Sequence, residues 1–323
     1  MSEPNSAIAN LSRSLFARSG ISWGFVGVLA FSLTVPLTRV AVDDGAMSPV
    51  FAGAARTVVA AVLAAVTLLA TRARLPKGSQ WWRIAVVAAG IVVAFPLLTS
   101  FALRSAPASH GAVVIALLPA ATAVAAVIRT GERPGCSFWV AAGAGAIATL
   151  AFATVQGGGI GGAHSAGLLL TAAVVAAAVG YAEGGLLARE LGAWQVICWA
   201  LVVASPVMVP TTILSLVQDP PAASPTEWAA FAYLAVMSTF LGYIAWYRVL
   251  SIGPMAQVSQ IQLTQPVMSI AWAVLLLGEQ LTWPTVVGAL AVVVCALTAV
   301  RSRARPATAR THSTTASRPR LTR

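Results

Sequence analysis

Apolar residues run through this 323-residue chain in long stretches, interrupted by short clusters of charge, glycine and proline. A helix needs about 20 mostly apolar residues to cross a bilayer. On that measure the pattern predicts ten spans: 21–40, 49–71, 84–103, 109–129, 137–155, 167–187, 195–217, 229–247, 256–277 and 284–300. Two of them carry a charge each, Arg56 and Glu183, and are kept because their flanking lengths fit. Ser2 to Gly20 is polar, with Arg13 and Arg18. The apolar run after it is longer than the core of a signal peptide, so it reads as a first span and not as a cleavable leader.

One pattern occurs twice, 147 residues apart and without a gap. Leu103, Pro107, Pro119, Gly131 and Glu132 answer to Leu250, Pro254, Pro266, Gly278 and Glu279. Ala126-Val127 and Ala273-Val274 keep the same offset. A long fixed period that carries two prolines and a Gly-Glu pair marks a duplicated structural unit. Each unit holds five spans, an odd number, so the second unit enters the membrane in the opposite sense. Inverted halves with proline-broken helices in matching positions are the signature of a secondary transporter. The halves meet at Gln156 to Ala166, a Gly-rich loop with no helical signal. The chain therefore divides into an N-terminal segment 1–20, a first repeat 21–155, a linker 156–166, a second repeat 167–300 and a basic tail 301–323. The expected fold class is an all-α polytopic membrane protein of ten transmembrane helices, arranged as two inverted five-helix repeats.

Composition agrees. The chain is 58% hydrophobic and 9% charged, against about 25% charged in soluble domains. The net charge of +11 resembles a nucleic-acid signal, but its placement argues otherwise. Arg301, Arg303, Arg305, Arg310, Arg318, Arg320 and Arg323 crowd the tail with no aromatic residue among them. That fits a topology signal or a contact with anionic lipid, and no nucleic acid is expected as a partner. With the N-terminus inside, 17 of the 20 Lys and Arg residues face the cytoplasm, and only Arg39, Arg56 and Arg104 do not. The outer loops carry Asp43, Asp44, Asp219 and Glu227. This bias predicts a multi-pass protein of the plasma (inner) membrane with both termini cytoplasmic. Cys136, Cys198 and Cys295 are scattered and read as small apolar residues.

The paired Pro…Gly-Glu segments, Trp23-Gly24 at the start of the first span, and Pro49 with Arg56 in the second resemble the EamA family of the drug/metabolite transporter superfamily. The resemblance covers about residues 21–300 as two repeats. It implies alternating access around a central cavity lined mainly by the first four helices of each half. It also implies a substrate among amino acids, other metabolites, nucleotide-linked sugars or drugs, often moved outward.

Few residues offer chemistry. Arg56 lies about seven residues inside its span, where a charge is costly unless paired or facing water. It reads as the partner of an anionic substrate group, or as a structural arginine that snorkels or pairs with Asp43 or Asp44. Glu183 sits between Gly180 and Gly185. A carboxylate near protein-lined hydrocarbon takes up a proton more readily than one in water, which makes Glu183 the proton-coupling candidate. Its other reading is a helix-end residue that reaches cytoplasmic water or Arg189. The Gly180/Gly184 spacing permits close helix approach. The ninth span is unusually polar, with Gln257, Ser259, Gln260, Gln262, Thr264 and Gln265 before Pro266. Lipid cannot satisfy amides. On a helical wheel Gln257, Gln260 and Thr264 share a face with Gln265 at its edge, and Pro266 leaves a carbonyl free. That face reads as the wall of a substrate cavity, or as adhesive between helices. Tyr243 and Trp246, with Tyr247, read as a stacking surface for substrate or as an interfacial aromatic belt. His110 reads as an interfacial histidine. Pro119, Gly131, Glu132, Pro266, Gly278 and Glu279 form the structural motif, the two glutamates capping or orienting the turn into the next helix.

The three histidines are scattered, and the sequence has no HExxH, nucleophile elbow or Walker motif. No enzyme activity, cofactor, metal site or self-contained ATP-driven pump is therefore expected. The expectation is a secondary-active transporter that exports a small polar metabolite, amino acid or drug. The alternative is a non-transporting membrane scaffold or a membrane-embedded enzyme. The expected partners are a small-molecule substrate and the lipid bilayer, with a homodimer left open.

Overall fold

The computed structural model describes residues 23–45, 47–131, 135–156, 163–252 and 262–303. Among the described residues every regular element is a helix. They are α1 (Trp23–Val42), α2 (Pro49–Ala70), α3 (Gln80–Leu103), α4 (Ala108–Thr130), α5 (Cys136–Gln156), α6 (Ala163–Leu191), α7 (Ala193–Gln218), α8 (Pro225–Ser251), α9 (Gln265–Leu277) and α10 (Trp283–Arg303). Seven of these, α1 to α4 and α6 to α8, are long and apolar enough to cross a membrane, and α5, α9 and α10 hold shorter apolar stretches. Of the expected features, Glu132, Gln257, Gln260, segment 1–20, linker residues 157–162 and the tail from 304 lie outside the described residues.

Local signals set most helix ends. Ser48 accepts a hydrogen bond from the Phe51 N–H, with Pro49 in the first turn of α2. Ser224 and Glu227 form a reciprocal capping box at the start of α8. Several helices outrun their apolar stretches, α3 and α6 among them. α3 starts at Gln80, before the expected 84, and α6 continues to Leu191, past the expected 187. Both extensions carry the residues of one polar node, Gln80, Arg83 and Glu190, and hydropathy alone cannot register helix held by polar contacts.

The 147-residue offset returns in the helix bounds. The stretch Leu118–Thr130 answers to Gln265–Leu277, and Cys136–Gln156 to Trp283–Arg303. Gly131 and Gly278 end their helices in the left-handed region, at φ 70° and 65°, which favours glycine. A π-helical segment, Ala88–Ala94, interrupts α3, and another, Leu234–Gly242, sits at the matching place in α8. Turns at 116–117 and 263–264 break the helices ahead of Pro119 and Pro266. Neither proline can donate to the carbonyl four residues back, at Ile115 or Gln262.

Small residues bring the helices together. At Gly90 in α3, an added Cβ would lie 2.3 Å from the Ala176 carbonyl oxygen of α6. Gly180 in α6 faces Ile91 of α3, and Gly184 faces the Tyr247 hydroxyl of α8. The GxxxG spacing thus serves two different neighbours. Elsewhere α2 packs along α7, and α5 along α10.

Candidate functional site

α1 turns at Leu33, and its second half packs against α3, α4, α8 and α9. Pro36 cannot donate to the Ser32 carbonyl; Ser269 of α9 donates to it instead, at 2.7 Å. Trp272 donates to the Ser32 hydroxyl at 3.1 Å, and Thr34 shares a 2.7 Å bond with Ser238 of α8. Next along α1, Thr38 accepts from Arg56 at 3.2 Å, and Thr99 of α3 accepts from the same guanidinium at 3.4 Å. Arg56 is 1% exposed, so it does not snorkel. Its bonds go to hydroxyls, while Asp43 pairs with Arg39 at 2.9 Å. Burial in the bundle, away from the helix end, leaves Arg56 held by Thr38 and Thr99.

Beside Arg56 lies an aromatic cluster. Tyr243 is close enough to interact electrostatically with the guanidinium, and Phe31 lies 5.0 Å from Tyr243 and 6.3 Å from Trp246, centroid to centroid. Tyr181 of α6 contacts Tyr243, Trp246 and Tyr247. All four α6 and α8 aromatics are buried, Trp246 to 2% exposure, so they are not an interfacial belt. Tyr247 donates to the Gly180 carbonyl at 3.3 Å. The Nε of Arg56 and the indole N–H of Trp246 are buried without a hydrogen-bond partner among the described residues.

Of the polar face expected ahead of Pro266, Gln257 and Gln260 lie outside the described residues. Gln262, Gln265 and Ser269 are buried, and with Val35, Ile115, Pro119 and Pro266 they line a small cavity of about 10 Å³. Thr264 is exposed. Gln265 thus meets the cavity and Thr264 does not. Gln262 and Ser269 join it there, and their spacing with Gln265 at 262, 265, 269 was a findable signal. The Gln262 side-chain N–H₂ also lacks a partner among the described residues. Pro119 and Pro266 meet at this cavity, from opposite copies of the repeat.

Glu183 is 5% exposed and sits between two arginines. Arg83 of α3 donates to one carboxylate oxygen and Arg129 of α4 to the other, the latter at 2.5 Å. Arg83 also reaches Glu190 at 2.5 Å, and Gln80 reaches Glu190 at 3.4 Å. The expected hydrocarbon setting is therefore an ion-pair node, and its partners are Arg83 and Arg129, not Arg189. Both arginines are remote in sequence, so spacing could not reveal them.

At the other end of the bundle, Glu279 accepts from the Ala108 N–H at 2.6 Å and the Ser109 N–H at 2.9 Å. It caps the start of α4, in the other half of the chain, and not the turn into its own next helix. A carboxylate there faces the positive end of the helix dipole. The surrounding cavity of about 250 Å³ includes His110, which is buried in the first turn of α4. Arg39 donates to the Leu103 and Arg104 carbonyls, both at 2.8 Å, which closes the end of α3.

The profile of the EamA-like transporter family matches residues 18–154 and, a second time, residues 164–301. The chain belongs to this family. It is 41% identical over 286 residues to the Uncharacterized transporter YdeK of Bacillus subtilis (strain 168), covering 86% of this chain and 96% of that protein. It is 27% identical over 261 residues to a Probable terminal-alkyne amino-acid exporter of Streptantibioticus cattleyicolor, covering 80% and 85%. A solved crystal structure shares the fold with a TM-score of 0.62 at 19% identity, over 89% of this chain and 98% of that one. This EamA-family chain is a multi-pass membrane transporter, not an enzyme.

Proposed function

We propose that this transporter exports a small carboxylate-bearing metabolite, of the amino-acid kind, by alternating access. The observation that carries the reading is chemical. Arg56, Trp246 and Gln262 each present a buried nitrogen donor without a partner among the described residues. A buried polar group left unpaired is costly, so these groups call for an acceptor-rich ligand. A carboxylate on Arg56 would answer the call, with its apolar part against Phe31, Tyr181, Tyr243 and Trp246. Gln265, with Gln257 and Gln260 as further candidates, would meet its polar remainder. The exporter relative, named for an amino acid, supports the substrate class and the direction.

The architecture that goes with this is ten spans in two inverted repeats, supported by the helix bounds that recur at 147 residues. The charge bias places the Arg83 end and both termini in the cytoplasm of a plasma-membrane protein. Glu183 is the candidate for proton exchange: neutralising it would release Arg83 and Arg129 together and loosen the cytoplasmic end. Glu183→Gln is then expected to abolish gradient-driven transport while solute exchange continues.

The test is counterflow in proteoliposomes with phenylalanine, norvaline and their decarboxylated amines. The carboxylated solutes are expected to exchange and the amines not. Arg56→Met should raise the half-saturation concentration at least tenfold, since a hydrogen bond to a charged group is worth about 1.5–3 kcal/mol. Equal exchange of amines and acids, or an Arg56→Met variant with wild-type affinity, would refute the reading.

A further inference from the structure

We propose that a groove on the membrane-facing side of α4, α5 and α6 holds one acyl chain of an anionic phospholipid, with its phosphate on Arg129. The groove encloses about 590 Å³, and its walls are apolar, with Val124, Ala125 and Ile128 from α4, Ala142 from α5, and Val175 and Val179 from α6. Ile128, Val175 and Val179 are exposed. Along α6 it runs from Thr171 to Glu183, twelve residues, or about 18 Å at 1.5 Å per residue. One leaflet of a bilayer's hydrocarbon core is about 15 Å deep. The groove therefore has the length of a single chain from one leaflet, not of a spanning segment.

Its polar end names the headgroup. Arg129 lies at the mouth with its side chain 50% exposed. Glu183 engages two of its donors, at Nε and Nη2, out of the five a guanidinium carries. A planar guanidinium matches phosphate oxygens in geometry and charge. At the same end Glu183 and Glu190 offset Arg83 and Arg129, and Lys77 and Arg189 add two further positive charges, so the balance at the mouth favours an anion. That this end faces the inner leaflet rests on the orientation given above; the binding itself does not. The repeat supplies an internal control. The related groove between α9 and α10, of about 200 Å³, has no charged residue in its lining, so lipid seated there should show no headgroup preference.

The test is native mass spectrometry of the full-length, delipidated protein in detergent, titrated with phosphatidylglycerol or with phosphatidylcholine of the same chains. One phosphatidylglycerol per chain should be retained at about tenfold lower concentration than phosphatidylcholine, or about 1.4 kcal/mol. Arg129→Gln should bring the two lipids level. Ala125→Phe, which fills the groove from a half-buried position, should remove the tight phosphatidylglycerol with Arg129 intact; melting and gel filtration report that each variant is folded. Equal retention of both lipids by the wild type overturns the proposal. So does unchanged selectivity in either variant, or a lipid-free dimer that Ala125→Phe dissociates, which would make a second copy the occupant. Transport activity enters none of these readouts, so a failure here is distinct from a failure of the substrate reading.

Discussion

Replacing Gly90 by alanine tests how the two halves of the transporter are held together. The new methyl group would stand 2.3 Å from the Ala176 carbonyl oxygen and 3.2 Å from its carbon. Contact becomes ordinary at about 3.4 Å, so α3 and α6 must separate locally by about 1.1 Å. The obstacle is backbone, so no rotamer change relieves it. Overpacking of this kind costs about 1–3 kcal/mol, occasionally more, against a helix-propensity gain of up to about 1 kcal/mol for alanine over glycine. Separating α3 from α6 also strains the Arg83–Glu183 contact that joins the same two helices. The expected outcome is a net loss of about 2 kcal/mol, read as a melting temperature several degrees lower in heated gel-filtration samples. Gly143→Ala in α5 is the control. Nothing lies within 4 Å of the Cβ it would gain, and it should melt at or above the wild-type temperature. A Gly90→Ala protein that melts with the wild type would show that the close α3–α6 approach is not what the helices require.

Other residues carry sharper tests of single contacts. Glu279→Gln keeps one acceptor for α4 but loses the charge that serves both the Ala108 and Ser109 N–H groups; stability should fall by about 2 kcal/mol, and a change under about 0.5 kcal/mol would remove the cap from the account. Arg83→Gln and Glu183→Gln should be strongly non-additive, the double variant costing little more than the worse single one; additive losses in the same melting assay would mean the two groups do not act as a pair. Ser269→Ala leaves the Ser32 carbonyl without the donor that replaces the one Pro36 lacks, at a cost of about 1–3 kcal/mol, whereas Ser269→Thr should retain it. Unchanged melting of Ser269→Ala would place the Ser32 carbonyl in water.

What the sequence determined by itself was everything that a short piece of chain demands of its own backbone or of the bilayer. Apolar runs near 20 residues predict helices because lipid offers backbone groups no partner. Pro119 and Pro266 each remove a backbone donor, and a turn precedes each of them. Gly131 and Gly278 end theirs in a conformation other residues avoid. The 147-residue period made these demands visible in pairs, and membership of the family followed from them. The tertiary structure decided which side chains meet. Glu183 looked like a lone acid because its partners, Arg83 and Arg129, are 100 and 54 residues away. Glu279 was read as a local cap, yet the donors it satisfies lie 171 and 170 residues back, in the other half. Gln262, Gln265 and Ser269 share a cavity with Pro119 of the first repeat, a neighbour that no spacing names. Trp246 and Tyr247 carry the composition of an interfacial belt, and helices distant in sequence, α1, α6 and α7 among them, bury that stretch of α8. Local covalent geometry acts through a few bonds and can be read in order along the chain; a charge or an aromatic ring acts on whatever the fold brings within a few ångströms, and that neighbour has no fixed place in the sequence.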